Sequence, residues 1–208
     1  MRITGLRQTS PERFTVELSD GGEIKTTLNV VTDRFLHTGM DIDDAELDEL
    51  RAASVYSLCL AHAMRLIGSQ ALSKKGLTDK LRQKGEDAEN AQKAVDYLEQ
   101  MGLLDDAAYA GIVVRHYAAK GLGAGRIRSE LSRHGVPKDL WDDALKEMPA
   151  QDDKMDKFIR SRLTDPSDSA QIKKVTEGLV RRGYSWGDIK EALERFKAEA
   201  EDDGWSEQ

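Results

Sequence analysis

A single cysteine, Cys59, in a chain of 208 residues excludes any disulfide framework within the chain. No window approaches the roughly 18 consecutive apolar residues that a membrane-spanning helix needs. The first residues, Met1-Arg2-Ile3-Thr4-Gly5, lack the apolar core of a secretory signal. A soluble protein of the cytoplasm is the simplest expectation from these absences. The apolar share is also modest, 39% against 33% charged. That supports a core, but a thin one, and suits helices that each keep a wide solvated face.

Chemistry-bearing motifs are as scarce. The histidines His37, His62, His116 and His134 fall in separate segments, and none has a partner at zinc-ligand spacing. Gly121-Leu122-Gly123-Ala124-Gly125 has no strand before it and no Gly-Lys-Ser/Thr ending. It reads as a flexible turn between helices, not a phosphate loop. Cys59 lies on the apolar run Val55–Leu66 and is expected to be buried and inert. No Ser/His/Asp or Cys/His arrangement is present to argue for an enzyme. Neither a cofactor, nor a metal, nor a small-molecule substrate is implied.

The net charge of −7 argues against nucleic acid until its distribution is considered. Residues 1–54 carry 6 basic and 11 acidic side chains, and residues 198–208 carry five acids and no base. Between them, residues 55–150 carry 14 and 13, and residues 151–197 carry 11 and 9. Screening acts over about 8–10 Å at physiological salt, so a basic groove can exist on this acidic chain.

Arg13–Leu18 alternates apolar and polar residues like a half-buried strand, and Asp20-Gly21-Gly22 offers a turn into a second strand at Glu23–Leu28. The result is a β-hairpin that must pack on something, a short strand near Ile3–Leu6 being one partner. A short helix around Val30–Leu36 is expected to follow. From Asp43 onward the pattern is helical. Asp43 and Asp44 can cap a helix over residues 44–67 that Gly68 closes, and stop-start signals recur to the end of the chain.

An internal repeat organises these helices. It is centred on Gly85, Gly135 and Gly183, 50 and 48 residues apart. Eight positions before each glycine stand Leu77, Ile127 and Val175, and four before it Leu81, Leu131 and Leu179. Nine after it stand Ala94, Ala144 and Ala192, and ten after it Val95, Leu145 and Leu193. Apolar residues four apart line one helix face. The glycine ends that helix in a left-handed turn, and the alanine lets the next helix approach closely. Pro137 suits the first position of a helix. With one preceding helix per copy (44–67, 105–120 and 152–163), each copy is a three-helix module. Such modules stack into arrays. The expected division is 1–42 for the hairpin extension, 43–101, 102–149 and 150–200 for the repeats, and 201–208 for an acidic tail. Trp205 in that tail is expected to be exposed or loosely docked.

The central copy resembles a known family. The residues are Gly102-Leu103-Leu104-Asp105-Asp106-Ala107-Ala108-Tyr109-Ala110, then Arg115, Lys120-Gly121-Leu122-Gly123, and Arg126–Val136. With Leu77–Gly85 and Leu179–Tyr184, they resemble the RecX signature. The likeness covers about residues 50–195. The chain departs from the family at Glu86, where an apolar residue is usual. The resemblance implies a mainly α fold, a bent solenoid of three tandem three-helix repeats. It also implies a partner, the RecA filament on single-stranded DNA, whose growth, ATP hydrolysis and strand exchange the family limits. DNA repair, DNA recombination and the SOS response are the processes implied.

Within that frame Asp105 and Asp106 are read as helix caps, not a catalytic pair, and Tyr109 as inward packing. Basic residues are the candidates for partner binding. Lys74, Lys75, Lys80, Arg82 and Lys84 crowd the first repeat. Arg115, Arg126, Arg128 and Arg133 mark the second, and Lys173, Lys174, Arg181 and Arg182 the third. Each alone is explained by a solvated face or a helix dipole. Together they can form a stripe facing an acidic filament surface or, weakly, single-stranded DNA. The rival expectations are a helical-repeat nucleic-acid binder that acts without RecA, and a scaffold for an unrelated protein.

Overall fold

The computed structural model describes residues 1–202, which form two compact units: residues 1–104, and the described part of 105–208. The expected tail therefore lies largely outside the described residues. Only Glu201 and Asp202 belong to an element, the end of the last helix.

Unit one opens with three antiparallel strands in the order β1 (Ile3–Ser10), β2 (Arg13–Leu18), β3 (Glu23–Thr27). The expected hairpin is β2–β3, and its third partner is an eight-residue strand rather than a short one. Val16 faces Leu6 on one side and Ile24 on the other. The turn between β2 and β3 has Gly21 at φ +83°, and the Asp20 carboxylate accepts the Gly22 N–H at 2.9 Å. Helix α1 (Leu28–Asp33) then leads to α2 (Asp44–Ser69). Asp43 caps α2 through a reciprocal pair of bonds with Glu46, of 2.8 and 2.9 Å.

The first half of α2 packs Leu47 and Leu50 against Ile3, Val16, Leu18 and Ile24 of the sheet. A buried bond of 2.9 Å joins Ser54 Oγ to Thr26 Oγ1 across that contact. Its second half places Cys59 and Ala63 in a separate core with Leu77 and Leu81 of α3 (Lys74–Gln83) and Ala94, Val95 and Leu98 of α4 (Ala88–Gln100). Each large side chain so buried contributes about 1.5–3 kcal/mol. One helix thus serves two cores, and Gly68 does not close it. The helix runs through that glycine to Ser69, because no residue there takes the left-handed conformation that would end it.

Unit two contains α5 (Asp106–Ala119), α6 (Ala124–Arg133), a 3-10 turn (Lys138–Leu140) running into α7 (Trp141–Lys146), then α8 (Asp152–Arg160), α9 (Ser169–Arg181) and α10 (Trp186–Asp202). Pro137 caps the 3-10 turn from outside, one position earlier than expected. Two cores form here. Tyr109, Val113, Val114, Ile127, Leu131 and Ala144 make one, and Met155, Ile159, Val175, Leu179, Ile189 and Ala192 the other.

The three helices carrying the repeat end identically. Gly85, Gly135 and Gly183 have φ of +88°, +72° and +88°. In each copy the residue after the glycine donates back to the repeat leucine: Glu86 to Leu81 at 3.1 Å, Val136 to Leu131 at 3.0 Å, Tyr184 to Leu179 at 3.2 Å. The glycine N–H bonds three residues back, to Arg82, Ser132 and Val180. This is the Schellman arrangement, which satisfies carbonyls the helix leaves open. An apolar residue normally follows the glycine and packs on that leucine. Val136 and Tyr184 do so by type, and both are buried. Glu86 instead turns its carboxylate to His62 Nδ1 of α2 at 2.8 Å.

Candidate partner and nucleic-acid interface

Asp105 accepts the Ala107 and Ala108 N–H groups at 2.8 and 2.9 Å, so the first acid of the Asp-Asp pair is a helix cap. Tyr109 is buried and its hydroxyl meets His134 Nδ1 at 3.0 Å. His134 Nε2 meets the Tyr117 hydroxyl at 3.2 Å. Burial, reinforced by the Arg133 charge, holds the His134 imidazole below its ordinary pKa. Cys59 is fully buried, and burial followed by the nearby Glu86 carboxylate pushes its thiol up to about 11. Among the described residues no group of three His, Cys, Asp or Glu side chains is arranged to hold a metal ion. No described helix is long and apolar enough to cross a membrane.

The basic residues separate into two kinds. Five hold a carboxylate. Lys74 reaches Glu99 at 2.7 Å, Lys75 reaches Asp79 at 3.1 Å and Arg128 reaches Asp142 at 3.1 Å. Arg126 and Arg133 share Glu130, at 3.4 and 2.5 Å. Glu130 is buried. Its burial alone would raise the carboxyl, but hydrogen bonds from Arg133 and Tyr117 and the two arginine charges outweigh that and leave it below its ordinary value. Arg133 also donates to the Tyr117 hydroxyl at 2.7 Å. These arginines are therefore already engaged within their own unit.

The other eight, Lys80, Arg82, Lys84, Arg115, Lys173, Lys174, Arg181 and Arg182, pair with no carboxylate among the described residues. Lys80, Arg82 and Lys84 stand at the C-terminal end of α3, and Arg181 and Arg182 at that of α9. Lys173, Lys174 and Arg181 are exposed. Arg182 lies against Phe158, its guanidinium 4.6 Å from the ring centre, and Arg162 approaches the same ring at 4.1 Å.

Arg182 belongs to a constellation that the linear pattern does not reveal. An open hollow of about 270 Å³ in unit two is lined by Ala119, Lys120, Gly121, Lys154, Lys157, Phe158, Arg182 and Tyr184. Lys120 sits 4.9 Å over the Tyr117 ring, and Lys154 donates to the Ala119 carbonyl. The Tyr184 hydroxyl donates to the Gly121 carbonyl at 3.1 Å. Lys154 and Lys157 lie outside the repeat columns, so no spacing in the sequence pointed to them.

The glycine-rich segment makes the expected turn between α5 and α6, Gly121 lines this hollow, and the turn is pinned by hydrogen bonds. Gly123 N–H donates to Arg182 O and Gly125 N–H to Gly183 O, both at 2.9 Å. The two backbones touch. A Cβ on Gly123 would lie 2.5 Å from the Gly183 carbonyl, and one on Gly183 would lie 2.1 Å from Arg126 N. These N–H groups are already used, which is why the segment cannot cradle a phosphate by itself.

Unit one presents a different surface. A groove of about 940 Å³ runs between the sheet, α1 and α2, with Leu28, Tyr56, Leu60, Met64 and Tyr97 along it and Arg13, Arg34 and Arg65 at its sides.

Comparison with known proteins matches residues 59–98 to the first three-helix domain of RecX and residues 105–145 to the second. The chain is 35% identical over 145 residues to the regulatory protein RecX of Trichlorobacter lovleyi, covering 66% of this chain and 94% of that one. It is 26% identical to that of Clostridium botulinum, covering 92% and 94%. A crystal structure of regulatory protein RecX superposes with a TM-score of 0.72 at 23% identity, covering 91% of this chain and 97% of the other. That of RecX from Lactobacillus salivarius gives 0.64 at 22%, covering 70% and 99%. With its helical fold shared and nearly the whole length of a 35%-identical relative covered, this chain belongs to the RecX family of regulatory proteins.

Proposed function

We propose that this chain is a cytoplasmic regulator that binds the RecA filament on single-stranded DNA and restrains its growth, ATP hydrolysis and strand exchange. It would thereby modulate recombinational repair and the SOS response. It acts by binding, without a cofactor, a small-molecule substrate or catalysis, and through three repeats at 43–101, 102–149 and 150–200. The observation that carries this reading is the match to regulatory protein RecX along nearly all of a relative's length. The unpaired basic side chains at the ends of α3 and α9 support it, because an acidic polymer or filament surface would neutralise them.

The test is the ATPase of RecA on single-stranded DNA, titrated with substoichiometric amounts of the chain. Inhibition is expected. No inhibition with tight binding to DNA would instead favour a nucleic-acid binder that acts without RecA. No effect on either would leave a scaffold for another protein. Reversing Lys173, Lys174 and Arg181 to glutamate should raise the concentration needed for half-inhibition, since these exposed residues take no part in any described ion pair. The same reversal at Arg126, Arg128 and Arg133 is a poorer probe, as it would set like charges against Glu130 and Asp142.

A further inference from the structure

We propose that the hollow bounded by the C-terminal end of α5, by α8 and by the C-terminal end of α9 seats the phosphodiester backbone of single-stranded DNA. This deepens the reading that the chain works on a DNA-bound filament and rests on it. Four basic residues, Lys120, Lys154, Lys157 and Arg182, line one opening. None pairs with a carboxylate among the described residues. The nearby acids are engaged elsewhere or stand aside. Asp152 and Asp156 of α8 both pair with Arg195 of α10, at 3.2 and 3.3 Å. Asp153, one turn before Lys157, is not part of the lining and makes no ion pair with it. The hollow therefore holds concentrated positive charge that the unit itself leaves unneutralised.

The kind of anion follows from the hydrogen-bonding inventory of the wall. Lysine and arginine offer donors only. The two carbonyls at the rim are already engaged, Ala119 O by Lys154 and Gly121 O by the Tyr184 hydroxyl. A polypeptide strand laid here would bring backbone N–H donors to a wall whose charged groups are all donors themselves. A deoxyribose-phosphate strand brings acceptors only, and its charges repeat along the chain. Arg182, its guanidinium carbon 4.6 Å from the centre of the Phe158 ring, can offer the two-pronged contact that guanidinium makes with phosphate, while the lysines act as point charges. The hollow is open and smaller than the roughly 300–1,000 Å³ of enclosed small-ligand sites, which suits a polymer lying across it.

The experiment is fluorescence anisotropy of a labelled 20-nucleotide oligo-dT against the full chain, repeated across salt concentrations. Each phosphate neutralised on a single strand contributes about 0.7 to the slope of log affinity against log salt. The double substitution Lys120→Ala with Lys157→Ala should lower the magnitude of that slope by about 1.4. The substitutions Lys93→Ala with Lys190→Ala remove the same formal charge from lysines already paired with Glu89 and Glu194, and should leave the slope unchanged. Arg182→Lys keeps the charge but loses the planar fork, so affinity should fall with little change in slope. An unchanged slope in the first variant, with its circular dichroism intact, overturns the proposal. A deca-glutamate peptide that displaces the labelled strand more strongly than unlabelled oligo-dT overturns it in favour of an acidic polypeptide. RecA ATPase inhibition, measured on the same samples, separates the two readings. Wild-type inhibition with an unchanged slope sinks only the hollow, and a lowered slope without any inhibition sinks only the RecA assignment.

Discussion

Gly183→Ala tests whether the contact between the glycine-rich segment and the end of α9 holds the last two helical cores together. Gly85 is the natural comparison. Both glycines sit at φ +88° at the end of a repeat helix. An alanine at either pays the cost of a left-handed residue with a Cβ, about 1–2 kcal/mol. At Gly85 a Cβ meets nothing within 4 Å, so the cost ends there. At Gly183 it falls 2.1 Å from Arg126 N and 2.9 Å from Arg126 Cα, both backbone atoms of α6. The helix must move away, and the bonds Gly123 N–H to Arg182 O and Gly125 N–H to Gly183 O are lost with it. Two such bonds are worth about 1–3 kcal/mol net. Gly183→Ala should therefore cost about 2–5 kcal/mol against about 1–2 for Gly85→Ala. Hydrogen exchange measures this locally. The Gly123 and Gly125 amides should exchange roughly tenfold or more faster in Gly183→Ala and be unaffected in Gly85→Ala. If the two substitutions cost the same and those amides keep their protection, the junction is not holding the unit and the reasoning fails.

Three further outcomes are expected. The His134 imidazole is held below its ordinary value of 6.5, so the unfolded chain binds its proton more readily than the folded one. Stability should fall as pH drops through 6.5 toward the lower folded value, and His134→Gln should flatten that part of a urea-midpoint-against-pH curve. The Cys59 thiol, pushed up to about 11 and fully buried, should react with a disulfide reagent only as fast as the chain unfolds. Equal reactivity in native buffer and in denaturant would contradict its placement. Leu131→Ala removes a side chain with no exposed surface from the core of Tyr109, Val113 and Ile127, and should destabilise the chain by about 2–5 kcal/mol in denaturant unfolding.

The repeat was legible in one dimension because a helix face and a helix end each impose local rules. Leucines at Leu81, Leu131 and Leu179 have to be buried, and a glycine after each helix has to adopt positive φ. Both follow from residue type and spacing, and both are observed. The caps at Asp43 and Asp105 were legible for the same reason, since a cap reaches only two or three residues along the chain. The strand at Ile3–Ser10 was seen only in part, because its pairing with Arg13–Leu18 rather than its own alternation makes it a strand.

What the order of residues could not decide is which charges are free. Arg126 and Arg133 stand nine and two residues before their repeat glycine, as Lys174 and Arg181 do, yet the first pair is held by a buried Glu130 and the second pairs with no carboxylate among the described residues. Glu86 looked like a defect in the repeat until α2 brought His62 and Cys59 to it. Lys154 and Lys157 carried no signal at all until the end of α5 and the end of α9 met α8. Burial and capping are properties of one helix, and a sequence can state them. Neutralisation of a charge depends on distances of a few ångströms between segments far apart in the chain, and only the folded unit sets those.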